Sequence, residues 1–378
     1  MYSILDYAYN GCLYLNNVMR PRHKRLSQLM IYATTACQSQ CKHCNIWQKK
    51  VEYLSIDDIQ RMMESRCVTR HTTVGLEGGE FILHPQAEEI MAWFHEHHPN
   101  YTLLSNCLAP NRVIEAVRLH HPQHLYVSLD GGRETYLRMR GRDGHNRVIQ
   151  VVEALKNEVP LSLMFCLSPW NGFDDMAYVI DVAKHYNVDV RIGIYGIMAY
   201  MVDADLKYLK SESIKSGITN PLQQISNSHQ RTELLTTTDF IAKIPRSIHS
   251  TQENFDFVAL YDEWRNGRLR LCCQSIMSNL VIHSNGDVPL CQNLDVVLGN
   301  IHQQSLDEIF NGKAACLTQC HYSKNCNDCW INFHRKYDII LLRNLERLLP
   351  KRLIEHFYGP YQWTDNPRTT YHQYFKKL

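Results

Sequence analysis

The chain lacks an excess of charge of either sign: 40 Lys and Arg stand against 38 Asp and Glu in 378 residues, a formal net charge of +2. That balance removes the electrostatic footprint of a general nucleic-acid binder. The chain also lacks any apolar run near the ~18–20 residues that a membrane-spanning helix needs. Its opening, MYSILDYAYNGCLYLNNVMRPRHKRL, lacks the basic start and following apolar stretch of a secretory signal. A membrane span and export are therefore not expected, and the cytoplasm is the expected compartment. Wholesale disorder is excluded too, because 44% hydrophobic, 21% charged and 10% aromatic residues lie close to ordinary globular usage. The length allows one large domain or two unequal ones with ample core. What is abundant is cysteine, at 14 residues. In a chain without an export signal, clustered cysteines point to metal binding or catalysis rather than to disulfides.

Apolar runs at residues 29–34, 73–77, 101–105, 124–129, 161–166 and 188–195 read as strands. Between them, amphipathic stretches at 56–65, 86–97, 111–119, 146–157 and 173–186 read as helices, the first N-capped by Ser55. Strands alternating with helices imply βαβ units and an α/β fold around a parallel sheet. Periodicity alone allows an open or partial barrel as readily as a flat doubly wound sheet. Residues 202–249 are rich in Ser, Thr and Asn and break the pattern. A cysteine-rich segment follows, then a basic amphipathic helix over 334–358 with Ile339, Ile340, Leu342, Leu345, Leu348 and Leu349 toward one side. The aromatic tail beyond it reads as a strap on the domain surface. The expected division is an N-terminal segment (1–28), a barrel (29–200), an insertion or linker (201–260), a cysteine-rich unit (261–335) and a C-terminal helix and tail (336–378).

Cys37-Gln-Ser-Gln-Cys41-Lys-His-Cys44 directly follows the first strand. A loop at the C-terminal end of a parallel strand is where α/β folds build active sites. A structural zinc site wants four closed ligands. Three cysteines without a near fourth suit a cubane 4Fe–4S cluster with one iron open, and a zinc site completed by His43 or a distant residue is the alternative. The loop resembles the CxxxCxxC loop of the radical S-adenosylmethionine (SAM) enzymes, with His43 where relatives carry an aromatic. Gly78-Gly79-Glu80, then Pro85, follow the second strand like the family's bend around the SAM amino group. Glycines permit close backbone approach there, and a carboxylate can pair with an ammonium.

The resemblance implies further SAM contacts. Ser105 and Asn106 end the third strand, Ser128 and Asp130 would face the ribose and reaction centre, and Arg140 would lie near the SAM carboxylate. It implies a partial (βα)6 TIM-like barrel in which SAM, held on the open iron, is reductively split to methionine and a 5′-deoxyadenosyl radical that takes hydrogen from a substrate carbon. A one-electron reductant such as flavodoxin or ferredoxin is the implied partner. No catalytic residue is assigned beyond the cluster loop.

Seven more cysteines lie close together: Cys272, Cys273, Cys291, Cys316, Cys320, Cys326 and Cys329. Thiolates suit zinc and iron–sulfur alike, so spacing leaves the metal open. The segment resembles the SPASM extension of radical SAM enzymes and its shorter twitch relative. Cys273, Gly286 and Cys291 match the opening spacing, within SNLVIHSNGDVPLCQN, which reads as a hairpin turning at Asn285-Gly286. The run Cys316-x3-Cys320-x5-Cys326-x2-Cys329 exchanges the family's short and long gaps, and no cysteine follows.

The resemblance implies one auxiliary 4Fe–4S cluster on Cys273, Cys291, Cys326 and Cys329, or two, the second drawing on Cys316, Cys320 and Cys272. Gln292 stands where sulfatase-maturing relatives carry an Asp base, so that activity is not carried over. Cys12, Cys67, Cys107 and Cys166 read as small buried hydrophobes. The expected function is a radical SAM enzyme of oxidoreductase or maturase type acting on a peptide or protein. A carbohydrate, nucleoside or cofactor precursor is the alternative substrate. A zinc or iron–sulfur binding or electron-transfer module without SAM chemistry is the alternative of another class. Only about 28 residues precede the barrel, which weighs against a leader-recognition domain.

Overall fold

A computed structural model describes residues 4–168, 170–195, 256–257 and 260–362. Six strands appear where the apolar runs fall: β1 (Gln28–Thr34), β2 (Thr73–Gly78), β3 (Tyr101–Ser105), β4 (His124–Ser128), β5 (Leu161–Leu167) and β6 (Asp189–Ile194). A seventh, β7 (Asn279–Ile282), comes from the cysteine-rich segment. All seven run parallel in the order β6-β5-β4-β3-β2-β1-β7, a sheet curled into a partial barrel.

Parallel neighbours need crossovers, and helices provide them. These are α2 (Ile56–Met63), α3 (Ala87–His97), α4 (Pro110–His120), α5 (Arg133–Arg140), α6 (His145–Leu155) and α7 (Phe173–Tyr186), preceded by α1 (Ile4–Met19). Ser55 caps α2 in a reciprocal box with Asp58, satisfying amides the helix leaves open. Each crossover helix buries one stripe on the sheet. On α6 this is Val148, Val151, Val152 and Leu155, about 1.5–3 kcal/mol per side chain.

The hairpin expected across 278–293 is only half present. The chain does turn there: the Gly286 amide donates to the His283 carbonyl at 2.9 Å, with Gly286 at φ +84°. Yet the first arm leaves the hairpin and pairs with β1, from Gln28↔Asn279 to Ile31↔Ile282. All four β7 residues are buried, the requirement for a strand covered on both faces of a parallel sheet. The second arm, β8 (Asp287–Pro289), pairs antiparallel with β9 (Val297–Asn300) instead.

After α8 (Tyr261–Arg265), α9 (Leu306–Asn311) and α10 (Lys313–Asn325), the single basic helix expected over 334–358 is two helices. They are α11 (Asn332–Leu348) and α12 (Lys351–Tyr358), broken at Pro350, which cannot continue a helix. Ile339, Ile340 and Leu342 are buried as expected, whereas Leu348 at the helix end is 79% exposed. Residues 1–28 are not a bare lead-in. The Asn17 amide on α1 donates to the carbonyls of Arg25 at 2.8 Å and Met277 at 2.9 Å, tying the N-terminus to the cysteine-rich segment. One continuous core joins barrel side chains to Leu280, Ile282, Phe310, Trp330 and Leu342, so the boundary expected at 261 does not split the core. The linker reading for 201–260 falls almost entirely outside the described residues, as does the tail beyond Gln362.

Candidate active site and auxiliary cysteine region

The three-cysteine loop hangs on the C-terminal end of α5. The last carbonyls of a helix have no intrahelical partner. Here the Met139 carbonyl accepts from the Lys42 amide at 2.8 Å, and the Arg140 carbonyl accepts from the Gln40 amide at 2.9 Å and the Ser39 hydroxyl at 3.1 Å. Gly141 ends α5 in the left-handed region at φ +65°, and a Cβ there would sit 2.8 Å from that of Gln40.

The glycine bend grips the other side of the loop. The Gly79 amide donates to the Thr34 carbonyl at 2.7 Å, and the Glu80 amide donates to the Ala36 carbonyl at 2.8 Å. A Cβ on Gly79 would strike the Ala36 carbonyl, so only glycine allows the bend to lie against the residue before Cys37.

Glu80 is buried. Its carboxylate accepts from the Ser105 hydroxyl at 2.8 Å and the Asn106 amide at 2.7 Å. Burial raises its pKa to about 7 against those bonds, and among the described residues no cation forms an ion pair with it. Asn106 in turn brings its side-chain amide to 3.7 Å from the Cys37 sulfur. The geometry thus gathers Cys37, Cys41, Cys44, Gly79, Glu80, Ser105 and Asn106 at the mouth of the barrel.

Asp130 and Arg140 form a different unit. Arg140 reaches one Asp130 carboxylate oxygen through Nε at 2.6 Å and a terminal nitrogen at 2.5 Å. The other oxygen accepts from the Cys166 amide at 3.1 Å. Asp130 has no exposed surface, and its bonds to Arg140 hold that guanidinium in place. Ser128 is buried at the end of β4, one strand from Met164.

Burial pushes the Cys37 thiol up to about 12 and that of Cys44 to about 11. Binding metal therefore means releasing protons from these thiols. His43 carries a buried Nδ1 without a partner, and burial lowers its pKa to about 4. Among the described residues, no three His, Cys, Asp or Glu side chains converge as the shell of one ion does. A cluster asks something different, because its thiolates bind separate irons. A buried carboxylate in no ion pair among the described residues, beside three thiols on one loop, fits a cluster that shares its site with an amino-group ligand.

The auxiliary cysteines are held by main-chain bonds, the Cys273 amide to the Ser323 carbonyl at 3.0 Å and the Cys326 amide to the Tyr322 carbonyl at 2.9 Å, and by a buried side chain. Cys273, Cys291 and Cys329 are buried and Cys326 is half-buried. Cys273 and Cys291 share a small apolar pocket with Ile276, Met277, Leu290 and Leu294. At the centre is Arg335, fully buried, which donates to the carbonyls of Cys329 at 2.9 Å and Leu271 at 3.2 Å and to Asp338 at 3.2 Å. Although burial opposes its charge, Asp338 and, as thiolates, Cys329, Cys273 and Cys326 stabilise it. Burial raises Cys273 strongly and Cys326 to about 12.

Cys316 and Cys320 belong to another group. Lys24, buried and over the Phe310 ring at 4.6 Å, donates to Cys316 at 3.3 Å, with Cys320 and Cys67 acting on the same ammonium. Cys272 is exposed and near Asp338, away from that group. Cys12 is exposed rather than buried, Cys166 is half-buried, and Cys67 and Cys107 are buried as expected. Sequence reading missed Lys24 and Arg335, since a lone cation among ordinary surface charges carries no spacing signal. Gln292 also reaches into the barrel, donating to the Tyr32 hydroxyl at 2.5 Å.

A parallel partial barrel with three cysteines and a glycine-rich acidic bend at its mouth, and a second cysteine region behind, defines a SAM-type iron–sulfur α/β protein. Residues 31–194 match the model of the radical SAM superfamily, and residues 272–330 match that of the SPASM iron–sulfur cluster-binding domain. The chain belongs to the radical SAM superfamily and carries a SPASM domain; such domains take a 4Fe–4S cluster with SAM and auxiliary iron–sulfur clusters. No curated protein matches the chain.

Among solved structures, Streptococcus suis SuiB bound to the precursor peptide SuiA is similar at a TM-score of 0.53 and 15% identity, covering 85% of this chain and 75% of that one. SuiB bound to S-adenosylmethionine matches at 0.53 and 15% identity, over 87% and 78%. Native anSMEcpe with AdoMet and the Cp18Cys peptide matches at 0.50 and 14% identity, over 88% and 99%. At such identity the likeness is one of fold. Among the described residues, no helix is long and apolar enough to cross a membrane.

Proposed function

We propose that the protein uses SAM to start radical chemistry on a peptide or protein substrate inside the barrel. The observation that carries this reading is the buried Glu80, hydrogen-bonded to Ser105 and Asn106 and set beside the Cys37 loop. With SAM bound at a 4Fe–4S cluster, one-electron reduction supplies a 5′-deoxyadenosyl radical able to take a hydrogen atom from a substrate carbon.

The protein's part is to hold and orient. Cys37, Cys41 and Cys44 hold the cluster on a loop fixed by the α5 carbonyls. Glu80 receives the SAM amino group, a buried carboxylate gaining the cation it lacks. Ser105 and Asn106 aim Glu80, and Asp130 aims Arg140 toward the SAM carboxylate. Cys273, Cys291, Cys326 and Cys329 hold one auxiliary cluster around Arg335. Residues 29–200 thus carry the SAM site and 261–335 the auxiliary site. Peptides bound in the structures of SuiB and anSMEcpe support a peptide substrate here.

The test is anaerobic incubation with SAM and dithionite, counting 5′-deoxyadenosine and methionine. Wild type is expected to form both in equal amounts, and Glu80→Ala to lose the activity while keeping its iron. Unchanged cleavage in Glu80→Ala would remove Glu80 from the site. No cleavage by an iron-loaded wild type would sink the reading.

A further inference from the structure

The barrel holds a half-open cavity of about 150 Å³, lined near its base by β1–β6 and by α11. Its apolar wall is formed by Met30, Leu104 and Met164. Facing them is Glu77, an acidic residue the SAM site does not use. Glu77 precedes the Gly78-Gly79-Glu80 bend on β2 and lies in register with Tyr32 of β1. No described side chain donates to its carboxylate, and burial alone raises its pKa to about 7. Two cations also line the cavity, but each rests on an aromatic face. Arg191 lies 5.5 Å from the Tyr126 ring, and Lys336 lies 5.3 Å from the Tyr337 ring. Glu77 is half-buried, and a carboxylate facing an apolar wall with no protein donor gains from a ligand that brings its own.

We propose that Glu77 is the recognition residue of this cavity, taking a peptide side chain that ends in an ammonium, as a lysine side chain does. The inference rests on the reading that the substrate enters the barrel. The volume fits one side chain rather than a whole peptide. The two methionines and Leu104 cover an alkyl stem, and methionine adapts readily to such a shape. The ammonium then meets Glu77. Three residues span at most about 10–11 Å, so Glu77 lies within one extended ligand's reach of the SAM amino-group site at Glu80.

The experiment uses the anaerobically reconstituted holoprotein labelled with ¹³C at methionine methyls, titrated with n-butylammonium, n-butanol and butyrate in turn. Butylammonium is expected to shift the Met30 and Met164 methyls, which line the cavity. It should outbind butanol and butyrate, and weaken about tenfold or more in Glu77→Gln, in line with the loss of a charge-assisted bond. The other methionine methyls report that the variant is folded. Butyrate or butanol binding as well as butylammonium, an unchanged titration in Glu77→Gln, or no shift with any probe would each overturn the proposal. SAM cleavage by wild type is a separate measurement. If cleavage persists while butylammonium fails to bind, this proposal falls and the proposed function stands.

Discussion

The two cysteine regions of this protein are built by different means. The Cys37–Cys44 loop is shaped by main chain, bonded to the end carbonyls of α5 on one side and to the Gly78-Gly79 bend on the other. The auxiliary region has main-chain ties too, such as the Cys273 amide to the Ser323 carbonyl, and adds a side-chain hub. Cys273, Cys326 and Cys329 lie about one buried guanidinium, Arg335, whose bonds to Cys329, Leu271 and Asp338 tie the segment together. Backbone templating tolerates changes in the side chains around it but not in the glycines. A side-chain hub inverts that rule: its failure is electrostatic, and it spreads.

The comparison breaks most visibly at the hub. Arg335→Leu leaves Asp338 buried without its cation and costs about 3–5 kcal/mol. A large fall in the thermal midpoint is expected, measured with and without iron, and an unchanged midpoint would deny Arg335 that role. Next comes Glu80→Ala, where loss of a charge-assisted bond of about 2–3 kcal/mol weakens SAM by about 30–150-fold. Equilibrium binding measures it, with iron content expected to stay at the wild-type level.

Gly79→Ala pushes a methyl into the Ala36 carbonyl and costs about 1–3 kcal/mol by overpacking. Its effect should be confined to iron retention at the first region, followed by spectroscopy of each cluster. The smallest effect is with pH. Burial raises Glu80 to about 7, so the protonated form prevails below that pH and cannot pair with an ammonium. SAM affinity should therefore rise as pH passes upward through about 7 and level off above it. A flat profile would place another group opposite the amino group.

The difference between the regions also decides what could be read from sequence. β1–β6 and the Cys37 loop follow from apolar runs and residue spacing, which local sequence carries. Glu80 was legible because glycine spacing marks a bend. Asp130 was legible as a position but not as the partner of Arg140, since a salt bridge between residues ten apart has no spacing rule. β7 was read as one arm of a hairpin because Asn285-Gly286 does make the turn. Only the tertiary fact that β1 needs a second neighbour sends its four residues, three of them apolar, elsewhere. Arg335 and Lys24 lay hidden among forty similar cations.

The most direct test of the account counts iron and acid-labile sulfide in three anaerobically reconstituted proteins: wild type, Cys37/Cys41/Cys44→Ala and Cys273/Cys291/Cys326/Cys329→Ala. One cluster in each region predicts about eight irons in wild type and about four in each variant. Zinc in place of iron, or a variant that keeps the full wild-type count, would contradict the assignment of one iron–sulfur cluster to each of the two cysteine regions.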